Sequence, residues 1–344
     1  NKLLTGGDSL MAYETEDQET QYCFPNINSS CVKGKRSRHE YIIMYVFFLL
    51  LSAWTVILNL LVIISISHFK KLHSPTNLLI LSLSVADLLV GLIVIPIEAI
   101  KQIETCWYFG ATFCGINLII IGVIFSASFS NLVLIAVDRY VAVCHPLLYP
   151  QKITTAKMLM SICLSWLYYS AYNAGLVVNN GYFDTAHRTD VCYGDCTVIM
   201  SFGWIVIDLF MSFIFPCLIM ITLYLRIFYV VHQQVKVINS LMKGGKCLTE
   251  ISVKRKSESK AALTLGIIVL VYLFSYIPYY ICTLSVNSVT TNNVLGWTVY
   301  ANSGLNPLVY ALFYPWFKKT AKIILTLKIF QPASSLINIF TENE

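Results

Sequence analysis

The chain has 344 residues, 57% of them apolar and 12% charged, with a formal net charge of +6 at pH 7. Soluble domains carry about 25% charged residues, so this composition argues for a chain that crosses a membrane several times. It holds no Walker loop, no His-Glu-x-x-His or paired Cys-x-x-Cys spacing and no nucleophile elbow, so neither catalysis nor nucleic-acid binding is read from it.

Residues 1–40 are polar and acidic and read as a flexible outer tail. Met11 is the first residue that suits a natural start. Asn28-Ser29-Ser30 is a glycosylation sequon, which places Asn28 outside the cell. A membrane domain is expected over 41–315, followed by an amphipathic helix and cytoplasmic tail over 316–344. Within it, seven apolar segments lie near 41–68, 77–102, 113–137, 158–178, 199–231, 261–287 and 293–315. Each reaches the roughly 20 residues that span a bilayer as a helix. A helix satisfies its own backbone in lipid, so an all-α, seven-helix membrane bundle is the expected fold. Basic residues crowd on one side: Lys70 and Lys71, then Arg139, Lys152 and Lys157, then a run from Arg226 to Lys260, then Lys318 to Lys328. That side is cytoplasmic, which leaves the N-terminus outside.

The first segment carries Asn59 and the second carries Asp87 at mid-membrane. A buried acid in lipid is expensive and marks function by default. Glu98, near the outer end of the second segment, reads as a solvated helix cap, the alternative being a second acid that would suit a diamine. The third segment runs from Cys114 to Asp138-Arg139-Tyr140. As a helix it covers about 37 Å, one bilayer with its interfaces. The fifth segment holds Asp208 eight residues before Pro216, with Ser212 between them. A polar, basic inner loop of about 30 residues is expected after it. The sixth segment is rich in tyrosine: Tyr272, Tyr276, Tyr279 and Tyr280 around Pro278. Residues 316–328 have the amphipathic pattern of a helix lying on the inner leaflet, in contact with membrane lipid.

Of eleven cysteines, six map to the outer side: Cys23, Cys31, Cys106, Cys114, Cys192 and Cys196. Six thiols in an oxidising compartment allow 15 disulfide connectivities.

The seventh segment and its continuation read Asn302-Ser303-Gly304-Leu305-Asn306-Pro307-Leu308-Val309-Tyr310-Ala311-Leu312-Phe313-Tyr314-Pro315-Trp316-Phe317. With Asp138-Arg139-Tyr140, Pro75-Thr76-Asn77, Cys106-Trp107-Tyr108-Phe109-Gly110 and Asn28-Ser29-Ser30-Cys31, this run resembles the trace amine-associated receptors, a rhodopsin-like family of G-protein-coupled receptors. The resemblance covers all seven segments and is closest to the fish-expanded branch. It implies disulfides Cys114–Cys196 and Cys31–Cys192, and it assigns no partner to Cys23 or Cys106. It implies that Asp138 restrains Arg139 at rest, and that Tyr140, Asn306, Pro307 and Tyr310 serve activation and G-protein coupling. It also implies an allosteric sodium ion at Asp87, Ser128, Asn302 and Ser303, the alternative being a neutral acid in a hydrogen-bond network. No other cofactor is expected.

Amine receptors of this superfamily usually hold the ammonium with an aspartate on the third helix. Here that position, eighteen residues before Arg139, is Ile121. Asp208 is the replacement candidate, an arrangement that resembles members of the fish-expanded branch; the alternative is a protonated acid hydrogen-bonded to Ser212 with no ligand role. Tyr276, Tyr279, Tyr280, Trp297 and Tyr300 offer aromatic faces to a cation, while Ile121, Phe125 and Ser212 complete the pocket. The family's usual toggle tryptophan is Tyr276 here. The expected protein is thus a plasma-membrane chemosensory receptor of olfactory neurons, taking a small amine and signalling through a stimulatory G protein. A receptor for a neutral or lipid-like ligand is the rival within the class, and a transporter the rival outside it.

Overall fold

The computed structural model describes residues 21–181, 192–197, 201–243, 250–285, 289–332 and 334–337; within these, the side chains of 238–262, 283–293, 312 and 315 are not described. Seven long helices form the bundle. They are α1 (Arg38–His68), α2 (Pro75–Glu104), α3 (Gly110–Cys144), α4 (Thr155–Asn179), α5 (Phe202–Asp208, Leu209–Ile214 and Phe215–Lys243 in continuous succession), α6 (Glu250–Ser285) and α7 (Val289–Phe313). A short α8 (Pro315–Leu325) follows.

Among the described residues, α1, α2, α3, α5 and α6 are apolar enough along a spanning length to cross a membrane on composition alone. Both α4 and α7 have 25 residues, also a spanning length. Their tyrosine, serine and asparagine content lowers their hydropathy. Helix starts follow local chemistry. Ser37 and Glu40 form a reciprocal capping box on α1. Ser74 caps α2 with Pro75 at its first position, and Thr154 caps α4.

Two helices widen into π turns, at Val90–Val94 in α2 and Leu209–Ile214 in α5. Each ends just before a proline, Pro96 or Pro216. Proline lacks an N–H and its ring crowds the carbonyl four residues back, so a wider turn relieves the clash. In α5 this turn begins directly after Asp208.

α3 is the central strut, packing against α2, α4, α5 and α6, while α7 packs on α1, α2 and α6 to close the ring. The main core runs along the inner half, where Leu79, Leu83, Leu132, Ile135, Met220 and Tyr310 are nearly or wholly buried. α8 docks under α1 and α7 through buried Trp316, Phe317 and Thr320.

Two expectations change here. The polar stretch between the fifth and sixth apolar spans, after Val237 and before Leu263, keeps roughly the expected length, but much of it is helical: helix continues to Lys243 and resumes at Glu250. Polar residues beyond the membrane carry no apolar signal but still form helix. Residues 21–37 are also not a free tail. Disulfides join Cys23 to Cys106, Cys31 to Cys192 and Cys114 to Cys196, so the segment is stapled to the outer ends of α2 and α3 and to the loop after α4. Lys33 donates to Glu104 at 3.0 Å, and the backbone N–H of Gly34 donates to Thr105 Oγ1 at 2.7 Å. The Glu104 carboxylate raises the Lys33 pKa above its ordinary value. Residues 1–20 lie outside the described residues.

Candidate functional site

At the inner end of α3, Arg139 is clamped by its neighbour. Its guanidinium donates to Asp138 Oδ2 at 2.5 Å and to Thr76 Oγ1 of α2 at 2.5 Å. Thr76 and Tyr149 also donate to the Asp138 carboxylate, at 2.8 and 3.0 Å. Tyr149 sits on a single helical turn, Tyr149–Lys152, between α3 and α4. Burial, and then the Asp138 carboxylate, raise the Tyr149 pKa, so its phenol stays a donor. Tyr140 turns aside and stacks edge-on against His145. Tyr310 of α7 is fully buried, and its hydroxyl has no hydrogen-bond partner among the described residues. Tyr224 of α5 is also buried, and its hydroxyl too has no hydrogen-bond partner among the described residues. Sequence reading named Tyr310 and passed over Tyr224. Its position eight residues past Pro216, in an apolar run, was the available signal.

Half-way through the bundle, Asp87 accepts from Asn306 Nδ2 at 2.7 Å and from Ser128 Oγ at 3.4 Å. Asn302 lies one turn before Asn306 and is buried, and its Oδ1 has no partner among the described residues. Asn59 ties α1 to α7 by donating to the Ser303 carbonyl at 3.0 Å. Gly304 permits this closeness, since a Cβ there would lie 2.8 Å from the Trp54 ring.

Towards the outer side, aromatic rings line the space between α3, α5, α6 and α7. Tyr276 stacks on Tyr272 at 3.9 Å between ring centroids and meets Phe125 edge-on at 6.4 Å. Phe125 in turn stacks with Tyr300 at 6.0 Å. Ile121 is half-buried in the apolar cluster of α1, α2 and α3. Tyr280 leaves this group and packs on Phe213 of α5 at 4.3 Å, with Tyr279 edge-on to it.

Asp208 lies on the α5 side of this wall and is half-buried. Tyr172 of α4 donates its hydroxyl to Asp208 Oδ1 at 2.9 Å. Ser212 donates to the backbone carbonyl of Asp208 at 2.5 Å. Tyr280 lies within electrostatic reach of the carboxylate. Tyr172 is the residue that sequence reading missed. It is one tyrosine among several on α4, and only the packing of α4 against α5 reveals its partner.

Two pocket expectations are altered. Trp297 faces α1 and α2, packing on Phe47 and Phe48 and donating its indole N–H to Gln102. It shares the apolar cluster of Ile121, Phe125 and Tyr300. Glu98 is no solvated cap: it is 7% exposed and pairs with Lys101 at 3.7 Å. It lies on α2 just past the π turn at Val90–Val94. Asn28 is exposed, as an acceptor for a glycan must be.

Comparison with known proteins agrees with this architecture. A family model described as "7 transmembrane receptor (rhodopsin family)" matches residues 58–310. Trace amine-associated receptor 13c of Danio rerio is 40% identical over 337 residues, covering 95% of this chain and 98% of that protein. Trace amine-associated receptor 6 of Rattus norvegicus is 39% identical, covering 94% and 96%. Trace amine-associated receptor 8a of the same animal is 38% identical, covering 94% and 97%. The chain belongs to the trace amine-associated receptors of the rhodopsin-like family, multi-pass plasma-membrane receptors rather than enzymes, which answer a small molecule and act through a heterotrimeric G protein.

Proposed function

We propose that this receptor binds a small amine with its ammonium on Asp208, and that it signals through a stimulatory, olfactory-type G protein in olfactory sensory neurons, with its N-terminus outside the cell. One contrast supports the amine site above all. Among the described residues, Asp138 pairs with Arg139 and Glu98 with Lys101, whereas no Lys or Arg pairs with Asp208. An acid within a membrane helix and without a cation is costly, and a ligand ammonium removes that cost. The attraction is strong there because the aromatic surroundings hold little water to screen it. Tyr280 and Tyr276 offer ring faces to the cation, and Ile121, Phe125 and Tyr300 the apolar surface for its carbon body.

Asp87, Ser128, Asn302 and Ser303 fit a sodium ion in the same reading. The Oδ1 of Asn302, one turn before Asn306, is buried and has no hydrogen-bond partner among the described residues. The ion would supply the positive charge that Asp87 lacks among its neighbours. Asp138 holding Arg139 would keep the inner end at rest, and Tyr140, Asn306, Pro307 and Tyr310 would act when it opens.

The test is a cyclic-AMP response to a panel of amines in the parent, Asp208→Ala and Asp208→Asn, with surface expression measured alongside. Loss of the ion pair raises the EC50 by about 100-fold or more, since a broken buried pair costs about 3–5 kcal/mol. A second reading, a neutral ligand, draws support from the Tyr172 bond that already occupies Asp208 Oδ1. An amine response indifferent to both substitutions would select it.

A further inference from the structure

We infer that residues 33–39, which lead into α1, form a second binding site on the outer face, and that it takes a sulfated polysaccharide of the glycosaminoglycan class. The run reads Lys33-Gly34-Lys35-Arg36-Ser37-Arg38-His39. A short run this rich in Lys and Arg is a signature of polyanion binding, to nucleic acid or to sulfated glycan. The outward N-terminus proposed above, on which the inference rests, leaves the glycan. The disulfide at Cys31, two residues upstream, agrees with that side of the membrane.

The charges stand where two physical rules disfavour them. Lys and Arg beside a membrane helix belong on its cytoplasmic side. Apart from this run, only Lys2, Lys101 and Arg188 lie outside the inner basic groups. Arg38 also opens α1, and a cation is unfavourable at a helix N-terminus. An anionic partner offsets both costs.

The structure separates anchoring cations from free ones. Lys33 pairs with Glu104 at 3.0 Å. Arg36 donates to the Gln102 carbonyl at 3.0 Å and to Met44 Sδ at 3.2 Å. Together with the Cys31–Cys192 disulfide and the Ser37 cap of α1, these contacts tie the backbone down. Lys35 and Arg38 flank Arg36; both are exposed, and neither forms an ion pair among the described residues. Cations on an ordered backbone lose little freedom on meeting a stiff chain of anions. The planar fork of Arg38 suits an oxyanion such as sulfate. Anionic lipid is the poorer match, because phosphatidylserine belongs to the cytoplasmic leaflet.

The experiment measures fluorescent heparin on intact cells that lack their own heparan sulfate and express the full-length receptor with an N-terminal epitope. Intact cells offer the outer face alone, so the inner basic groups do not contribute. Saturable binding above that of untransfected cells is expected, and it is lost at about 0.5 M salt, where exposed charges are screened. Lys35→Ala and Arg38→Ala each weaken it about fivefold and together about 20-fold, as for single basic charges at an anionic surface. Lys35→Arg with Arg38→Lys keeps the charges and retains binding. Undiminished binding in the double-alanine variant, or equal binding of desulfated heparin, would overturn the site. So would binding that appears only after Glu14, Glu16, Asp17 and Glu19 are changed to their amides, since the cations would then serve the chain's own acidic run. Capture of phosphatidylserine vesicles without capture of heparin would overturn it in favour of lipid. An epitope that stains only after permeabilisation removes the proposed orientation, a failure distinct from that of a displayed receptor that binds no heparin.

Discussion

Asp138 and Asp208 are both acids carried by membrane helices, and their surroundings differ in kind. Asp138 is fully buried and meets a guanidinium, a threonine and a tyrosine, all from its own chain. Asp208 is half-buried and meets a tyrosine hydroxyl, with no Lys or Arg among the described residues. The inner end is thus electrostatically closed, and the outer half of α5 is open to a cation. On the proposed reading this division has a use: the closed end would hold the resting state, and the open end would take the ligand's ammonium.

The largest expected effect tests the open end. Asp208→Asn keeps the shape of the side chain and removes its charge. The amine EC50 is expected to rise by about 100-fold or more, with surface expression retained. A response that survives would make the two acids alike in needing no ligand.

Stability tests the staple over the open end. Cys106→Ala and Cys23→Ala each remove a link closing a loop of 83 residues. Each is expected to cost about 2–4 kcal/mol, read as a lowered Tm of purified receptor. The double variant should lose no more than either single one, because both delete the same bond.

The closed end responds differently. Asp138→Asn weakens the hold on Arg139 without touching the pocket. Basal cyclic AMP is expected to rise about tenfold, which corresponds to a shift of about 1.4 kcal/mol between resting and active forms. A change in the acid that lowered basal signalling would mean that this pair does not favour rest.

The same division governs what could be read from the chain. The seven helices were legible because an apolar run of spanning length has one stable form in lipid. Their ends were less so: α6 begins at Glu250 rather than near 261, since polar residues past the membrane carry no hydropathy signal. At the closed end Arg139 is the next residue, so Asp138 and Arg139 announce each other, although Thr76 reaches Asp138 across 62 residues. At the open end they are far apart in sequence. Tyr172 meets Asp208 across 36 residues, Cys23 meets Cys106 across 83, and Trp297 turns to Gln102 across 195. Such contacts exist once helices pack, and no local spacing encodes them. Glu98 fails for a related reason. Its position near a helix end suggests water, but packing within the bundle leaves it 7% exposed beside Lys101.

The smallest expected effect sharpens the comparison most, because it concerns the one partner Asp208 already has. Tyr172→Phe removes a hydroxyl and leaves the ring in place against Tyr168. A carboxylate has about four acceptor sites, so Tyr172 and an ammonium can bond it together. The tyrosine then orients Asp208 for the ligand instead of competing with it. Its loss is expected to raise the amine EC50 about threefold to tenfold, the range for one hydrogen bond. In the Asp208→Asn background the same substitution should add little, since its effect passes through the carboxylate. A lowered EC50 would reverse the account. The hydroxyl would then be an internal substitute for the ligand's cation, and the outer acid would be partly closed, like the inner one.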